Sequence, residues 1–421
     1  MDKIVVRGGD KLKGTVKISG AKNSALPIMA AALLTDEPSV ILDVPNLRDV
    51  ATMIKLLKFL GTRITYEDGR VEIKPIKKLS PMAPYNLVST MRASVCVLGP
   101  LLARLGYAQV SIPGGCVIGA RPIDLHLKGF EALGATIRIE HGYVHASTKR
   151  GLRGAEVYLG GAYGSSVLAT GNVMMAATLA KGTTFIENAA CEPEVVDLAN
   201  FLNKMGAKIE GHGSHLIKIQ GVKKLHGTTH TVIPDRIEAG TFMVAAAMTG
   251  GDLTIQNCNP EHNTALIDKL KQAGVTIERL KNAVRVRRKG SLKPIDVTTH
   301  PYPGFPTDLQ AQMMALMVTT SGISVITEKI YPDRFMHVSE LNRMGSRVFL
   351  EGASAIVNGV KKLSGAPVMA SDLRASAALV LAGLVADGET HIQRVYHLDR
   401  GYERIEEKLS KVGAIIRREK E

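Results

Sequence analysis

The segment Ile112-Pro-Gly-Gly-Cys-Val-Ile-Gly-Ala-Arg-Pro-Ile-Asp-Leu-His126 concentrates more reactive chemistry than any other stretch of the chain. Gly114, Gly115 and Gly119 make a loop whose backbone can approach a ligand closely. Cys116 lies among them, with Arg121 five residues on. A thiol on such a loop beside a guanidinium has its thiolate favoured, which suits nucleophilic or proton-transfer work. The other reading, a small apolar residue in a core, fits poorly with a place between glycines. Cys96, Cys191 and Cys258 sit in or beside apolar segments and read as packing residues.

Other residues suit anions. In Ile18-Ser-Gly-Ala-Lys-Asn-Ser-Ala-Leu-Pro27 a polar turn delivers Lys22 and Asn23 just before an apolar helix. A helix N-terminus favours an anion, and a lysine is a strong point charge for phosphate. An exposed loop lysine is the alternative. Thr90-Met-Arg-Ala-Ser94 puts Arg92 at the head of an apolar helix. The helix dipole disfavours a cation there, so Arg92 either awaits an anion or is solvated. Phe305-Pro-Thr-Asp308 sets a carboxylate between a proline turn and the apolar stretch Leu309–Val318. Taken alone, Asp308 is an N-cap. Pro332-Asp-Arg-Phe-Met-His337, Ser371-Asp-Leu-Arg374 and His397-Leu-Asp-Arg-Gly-Tyr402 each place an arginine beside an aspartate. Singly these are surface ion pairs. Together Arg334, Arg374 and Arg400 could cradle a highly anionic substrate.

The elements that must position these groups recur. An apolar helical stretch, a glycine, a further residue and a β-rich stretch appear six times, around Gly61, Gly134, Gly206, Gly274, Gly345 and Gly413. The spacing is 68 to 73 residues. Each glycine sits where a left-handed helix C-cap belongs. In 195–205 the apolar residues Val195, Leu198, Phe201, Leu202 and Met205 mark one helical face. A second helix per unit, as in 176–180, 245–248 and 381–386, is apolar nearly all round and must be buried. Six units in 421 residues predict two α/β domains of three units each, with the boundary near Gly227–Val232.

Composition narrows the class. Apolar residues make up 45% and charged residues 22%, as in a soluble globular protein, with no Trp and 4% aromatics. Apolar runs of about ten residues are too short for a membrane span, which needs about 20. The N-terminus shows no secretory pattern. Four cysteines with no metal spacing read as reduced thiols of a cytoplasmic protein. The net charge of +14 fits nucleic acid or small phosphorylated substrates. Its spread along the chain, without a block beyond Arg285–Lys289, makes nucleic acid the minor reading.

These residues resemble the UDP-N-acetylglucosamine 1-carboxyvinyltransferases of bacterial cell-wall synthesis. The resemblance covers essentially the whole chain. It is carried by Gly20-Ala-Lys-Asn23, Pro113-Gly-Gly-Cys-Val-Ile-Gly-Ala-Arg-Pro122, Phe305-Pro-Thr-Asp308, Arg334-Phe-Met-His337 and Asp399-Arg-Gly-Tyr402. The sister enolpyruvylshikimate-phosphate synthases share fold and donor but lack this cysteine loop. The resemblance implies a two-domain inside-out α/β barrel of six helix–strand units. The first domain would span 22–229 and the second 1–21 plus 230–421, with the active site in the cleft between them.

The implied reaction moves the enolpyruvyl group of phosphoenolpyruvate to the 3-hydroxyl of UDP-N-acetylglucosamine, with no cofactor or metal. By the same resemblance, Lys22, Asn23, Arg121 and Arg400 would hold the donor. Cys116 would protonate its methylene carbon and be open to an epoxide such as fosfomycin. Asp308 would be the base at the acceptor. Arg92, Arg121, Pro122, Ile123, Asp124, Leu125, Asp308 and Ile330 would contact the nucleotide sugar. His126, Arg334, Asp372 and Arg374 would support them. One stretch departs from the family: Gly160-Gly-Ala-Tyr-Gly-Ser-Ser166 replaces a Lys- and Val-containing stretch, so nucleotide contacts there are not carried over. A different acceptor, or a regulatory protein that binds nucleotide sugar without turnover, are the alternatives.

Overall fold

A computed structural model describes residues 2–75, 78–114 and 123–420. Among the described residues six four-stranded sheets are built to one plan. In each, a first strand runs parallel to a second, the second is antiparallel to a third, and the third to a fourth at the edge. Between the first and second strands of a unit lies the more deeply buried of its two helices. These helices are Lys22–Ala31, Leu98–Leu105, Val167–Ala177, Arg236–Thr249, Gln310–Val318 and Leu373–Gly383. An amphipathic helix follows the second strand, as in Arg48–Phe59 and Pro193–Lys204.

The six repeat glycines end the amphipathic helices. All are left-handed, with φ between 87° and 104°. After five of them the same bond closes the helix, from the next residue's N–H to the carbonyl five back, such as Ala135 to Phe130 and Val275 to Leu270. That is the Schellman closure, and it needs a residue without Cβ strain at the glycine.

The chain forms two compact units, 2–19 with 234–420, and 20–233 save the undescribed residues. Each unit has its own apolar core. In the first, helices Arg236–Thr249, Gln310–Val318 and Leu373–Gly383 pack on one another. Fully buried Met313, Met314, Leu379 and Leu381 illustrate the driving force, about 1.5–3 kcal/mol per side chain of this size. With aromatics scarce, Ala, Leu and Met fill both interiors.

Two units of the repeat exchange strands. Lys13–Lys17 precedes the helix Lys22–Ala31, yet it pairs in parallel with Asp252–Gln256. Thr229–Thr231 precedes Arg236–Thr249, yet it pairs with Ser39–Leu42. The N-terminal strand Asp2–Arg7 takes the third position of the last sheet, between Glu389–Gln393 and Ile415–Lys420. Among the described residues the chain therefore passes from unit to unit at 19–20 and at 233–234. Among the described residues no helix is long and apolar enough to cross a membrane.

Candidate active site

Lys22 and Asn23 do not precede the helix, as the turn-like sequence suggests, but are its first two residues. Ala21 at the N-cap offers no side-chain cap. Lys22 is 6% exposed and donates to Asp49 Oδ2 at 3.0 Å. A cation in the first turn opposes the helix dipole, and buried Asp49 offsets it. The preceding turn depends on Gly20, where a Cβ would sit 1.8 Å from the Asp43 carbonyl oxygen. Ser24 anchors the same helix by donating to Asp197 Oδ2 at 2.5 Å. Asp197 also accepts from Ile233 N at 3.2 Å and pairs with His230 at 2.8 Å.

Arg92 opens a 3-10 turn, Arg92–Val97, that runs into Leu98–Leu105. Gly114 brings the chain against this region: its Cβ would lie 2.3 Å from the Ser89 carbonyl oxygen. Cys116, Arg121 and Pro122 lie outside the described residues, as do Gly115 and Gly119. On the far side of that segment Ile123 precedes the helix Asp124–Ala132. Asp124 is exposed, Leu125 half-buried and His126 buried. Asn172 ties these parts together. Its amide nitrogen donates to Val95 O at 2.9 Å and to His126 Nδ1 at 3.1 Å. Its oxygen accepts from Gly99 N at 2.9 Å. Burial, with the Arg92 charge, pushes His126 down to about 3, so the ring is neutral and accepts at Nδ1. The stretch that departs from the family forms a small hairpin, Gly160–Gly161 against Gly164–Ser165, with Tyr163 exposed. Gly161 packs close to Leu125.

The unit formed by 2–19 and 234–420 gathers a second group. Asp308 is not an N-cap: it lies inside the turn Thr307–Leu309, whose N-cap is Pro306. Its Oδ1 accepts from Arg334 Nη1 at 2.8 Å and its Oδ2 from Arg374 Nη2 at 3.1 Å. Both guanidiniums are almost fully buried, and Asp308 is 27% exposed at its side chain. Burial opposes the charge of Arg374, but Asp308, Tyr402 and Asp235 more than offset it and leave its pKa raised. Tyr402 lies under that guanidinium at 5.3 Å, and its hydroxyl meets Thr241 at 2.9 Å and Gln312 at 3.1 Å. Asp372 caps the helix Leu373–Gly383 by accepting from Arg374 N and Ala375 N. His337 is buried beside this group and pushed down to about 4 by that burial. Arg400 ends the turn Val395–Arg400, half-buried, while its neighbour Asp399 pairs with Arg418 instead. Ile330 is half-buried, and its N–H donates to Glu328.

Three arginines beside aspartates thus do not form three equivalent ion pairs. Arg334 and Arg374 converge on Asp308, and Arg400 stands in a separate turn. Asp49, Asn172, Glu328 and Tyr402 were not singled out by residue type and spacing. Each has at least one partner remote in sequence, and only the Asp-Arg-Gly-Tyr stretch hinted at one of them. Among the described residues no group of His, Cys, Asp and Glu is placed to hold a metal ion.

A family model described as EPSP synthase (3-phosphoshikimate 1-carboxyvinyltransferase) matches residues 6–409. The UDP-N-acetylglucosamine 1-carboxyvinyltransferase 2 of Carboxydothermus hydrogenoformans is 58% identical over 420 residues, 99% of each chain. The UDP-N-acetylglucosamine 1-carboxyvinyltransferase of Methylacidiphilum infernorum is 57% identical over 418 residues, again 99% of each. Among solved structures, the enolpyruvyl transferase NikO from Streptomyces tendae superposes with a TM-score of 0.88 at 26% identity, covering 99% of this chain and 98% of that one. An EPSP synthase from Acinetobacter baumannii, at TM-score 0.76, 20% identity and 100% of both chains, shares the fold. The architecture is the two-domain inside-out α/β fold of these enzymes. With nearly its whole length matched, the chain belongs to the EPSP synthase family, and within it to the UDP-N-acetylglucosamine 1-carboxyvinyltransferases.

Proposed function

We infer that the protein transfers the enolpyruvyl group of phosphoenolpyruvate to the 3-hydroxyl of UDP-N-acetylglucosamine and releases phosphate. This is the committed step of peptidoglycan synthesis. The observation that carries the reading is the end-to-end identity of 56–58% with enzymes named for this reaction.

The reaction has two stages. The acceptor oxygen adds to C2 of the donor while C3 gains a proton, which gives a tetrahedral ketal. Loss of phosphate from C2 and of a proton from C3 then restores the double bond. Addition needs an acid at carbon and a base at the hydroxyl. Cys116 is the acid on this reading and Asp308 the base. Asp308 accepts from two guanidiniums, which orient it. A carboxylate so held takes the hydroxyl proton only as that oxygen bonds to carbon.

Both substrates are polyanions, so fixed cations must hold them and meet developing charge. Lys22, with Asn23, Arg121 and Arg400, fills that role for the donor. The buried Lys22 ammonium keeps donors beyond its bond to Asp49. Arg92, Arg121 to Leu125, Asp308 and Ile330 hold the nucleotide sugar. His126, Arg334, Asp372 and Arg374 support these groups rather than react.

The test is phosphate release by purified protein. It should appear only when both substrates are present, with the carboxyvinyl nucleotide sugar as co-product. No release with that pair, or release with another acceptor only, would overturn the reading.

A further inference from the structure

Glu328 follows the strand Ile323–Thr327 and is 0% exposed. Its Oε1 accepts from Thr299 Oγ1 at 2.7 Å, Ile330 N at 2.8 Å and Tyr331 N at 3.0 Å. Its Oε2 accepts from Thr307 Oγ1 at 2.9 Å. A buried carboxylate is costly unless its lone pairs are met, and it presents about four such sites. Four donors meet this carboxylate, three at Oε1 and one at Oε2. Thr307 has its proton committed to Glu328, so its oxygen can accept from Arg334 Nη1 at 3.0 Å. The same Arg334 nitrogen donates to Asp308 Oδ1 at 2.8 Å. A directed chain therefore runs from Arg334 through Thr307 to Glu328, with Asp308 alongside.

The repeat itself marks this position. Four other sheets place a left-handed residue just after the second strand: Asp43, Asn188, Asn257 and Arg394. None of these is buried. In the sheet nearest Asp308 in sequence the turn residue is replaced by a buried glutamate. Its two backbone bonds build the turn that carries Ile330, and its hydroxyl bond sets Thr307 beside Asp308.

We propose that Glu328 is a positioning residue for the acceptor, one carboxylate that sets both the Ile330 turn and the Thr307–Asp308 turn. The proposal rests on the function inferred above, which places Ile330 and Asp308 on the nucleotide sugar. Glu328 itself is buried and acts through its partners. Glu328→Gln turns an amide N–H₂ toward Thr307 and reverses the direction of the chain. Thr307→Val deletes the hydroxyl at nearly constant volume, and Thr307→Ser keeps it.

The experiment measures KM for each substrate, and the affinity for UDP-N-acetylglucosamine by calorimetry, on the full-length parent and these three variants. Glu328→Gln and Thr307→Val should each raise the acceptor KM and weaken its binding by roughly tenfold or more, the scale of one hydrogen bond to a charged group. The phosphoenolpyruvate KM should stay within about twofold, and Thr307→Ser should stay within about threefold of the parent throughout. If Glu328→Gln does not fold, the Thr307 pair decides. Equal damage by Ser and Val, parallel loss for both substrates, or unchanged acceptor binding in Thr307→Val overturns the proposal alone. A parent that neither binds nor converts the nucleotide sugar overturns the inferred function, and this proposal with it.

Discussion

Arg374 Nη2 and Asp308 Oδ2 lie 3.1 Å apart, although 66 positions separate them in the chain. Arg334 holds the other oxygen of the same carboxylate. One partly exposed anion thus sits between two buried cations, so the two sides of this group are not equivalent.

Asp308→Asn should therefore destabilise more than Arg374→Met. The first leaves two buried guanidiniums without that shared counter-charge, at a cost of about 2–3 kcal/mol when discounted for the exposure of Asp308. The second leaves Asp308 paired with Arg334 and removes a buried charge together with its desolvation cost. Urea midpoints with an unchanged slope would measure both. Equal losses would contradict this account. On the inferred mechanism, Asp308→Asn also loses most of its turnover.

His126 supplies a pH dependence whose sign can be worked out. Its folded pKa is depressed to about 3 by burial and by Arg92, against about 6.5 when unfolded. Between those values the unfolded chain binds more protons, so stability is complete above the unfolded value and falls as pH drops through the window. From pH 7 to pH 5 the loss due to this ring is about 2 kcal/mol. His126→Gln keeps an acceptor for Asn172 but cannot be protonated. Its urea midpoint should fall less than the parent's over that interval, and equal falls would contradict the assignment.

The thiols should separate sharply. Burial pushes Cys96 and Cys258 up to about 12, and it raises Cys191 with the Glu192 charge adding. Thiolate is the reactive form, so these three should resist fosfomycin in the native protein near neutral pH. Mass spectrometry should find one adduct, on Cys116, and none after Cys116→Ser. An adduct on Cys96, Cys191 or Cys258 would contradict the prediction.

Arg394 has φ 56° at the position where two other sheets use Asn and one uses Asp. A left-handed arginine costs more than a left-handed asparagine, whose side chain bonds locally. Arg394→Asn should stabilise the protein by about 0.5–1 kcal/mol. Arg394 lies six residues before Arg400, so donor KM measured alongside shows whether the exposed guanidinium also serves binding.

The sequence by itself determined the six-unit plan, the buried and amphipathic helix of each unit, and the glycine that ends the second. Those features depend on contacts within one or two helical turns, and local spacing records them. It also carried the motif residues from Lys22 to Arg400 on which the resemblance rests. Tertiary structure alone decided their partners. Asp308 looked like an N-cap because proline–threonine–aspartate before an apolar run is the local pattern of one. Arg334 and Arg374 overrode it from 26 and 66 positions away. Lys22 gave no sign of Asp49, nor Thr307 of Glu328, since no periodicity links a side chain to a remote acceptor.

The strand exchange makes the same point at the scale of the fold. Lys13–Lys17 and Thr229–Thr231 each precede a buried helix and a second strand, and either could have paired within its own unit. Each pairs instead with the other's second strand. Strand pairing is non-local, and near-identical repeats offer near-identical edges. Only the three-dimensional arrangement selects between them, and that selection joins residues 2–19 to 234–420.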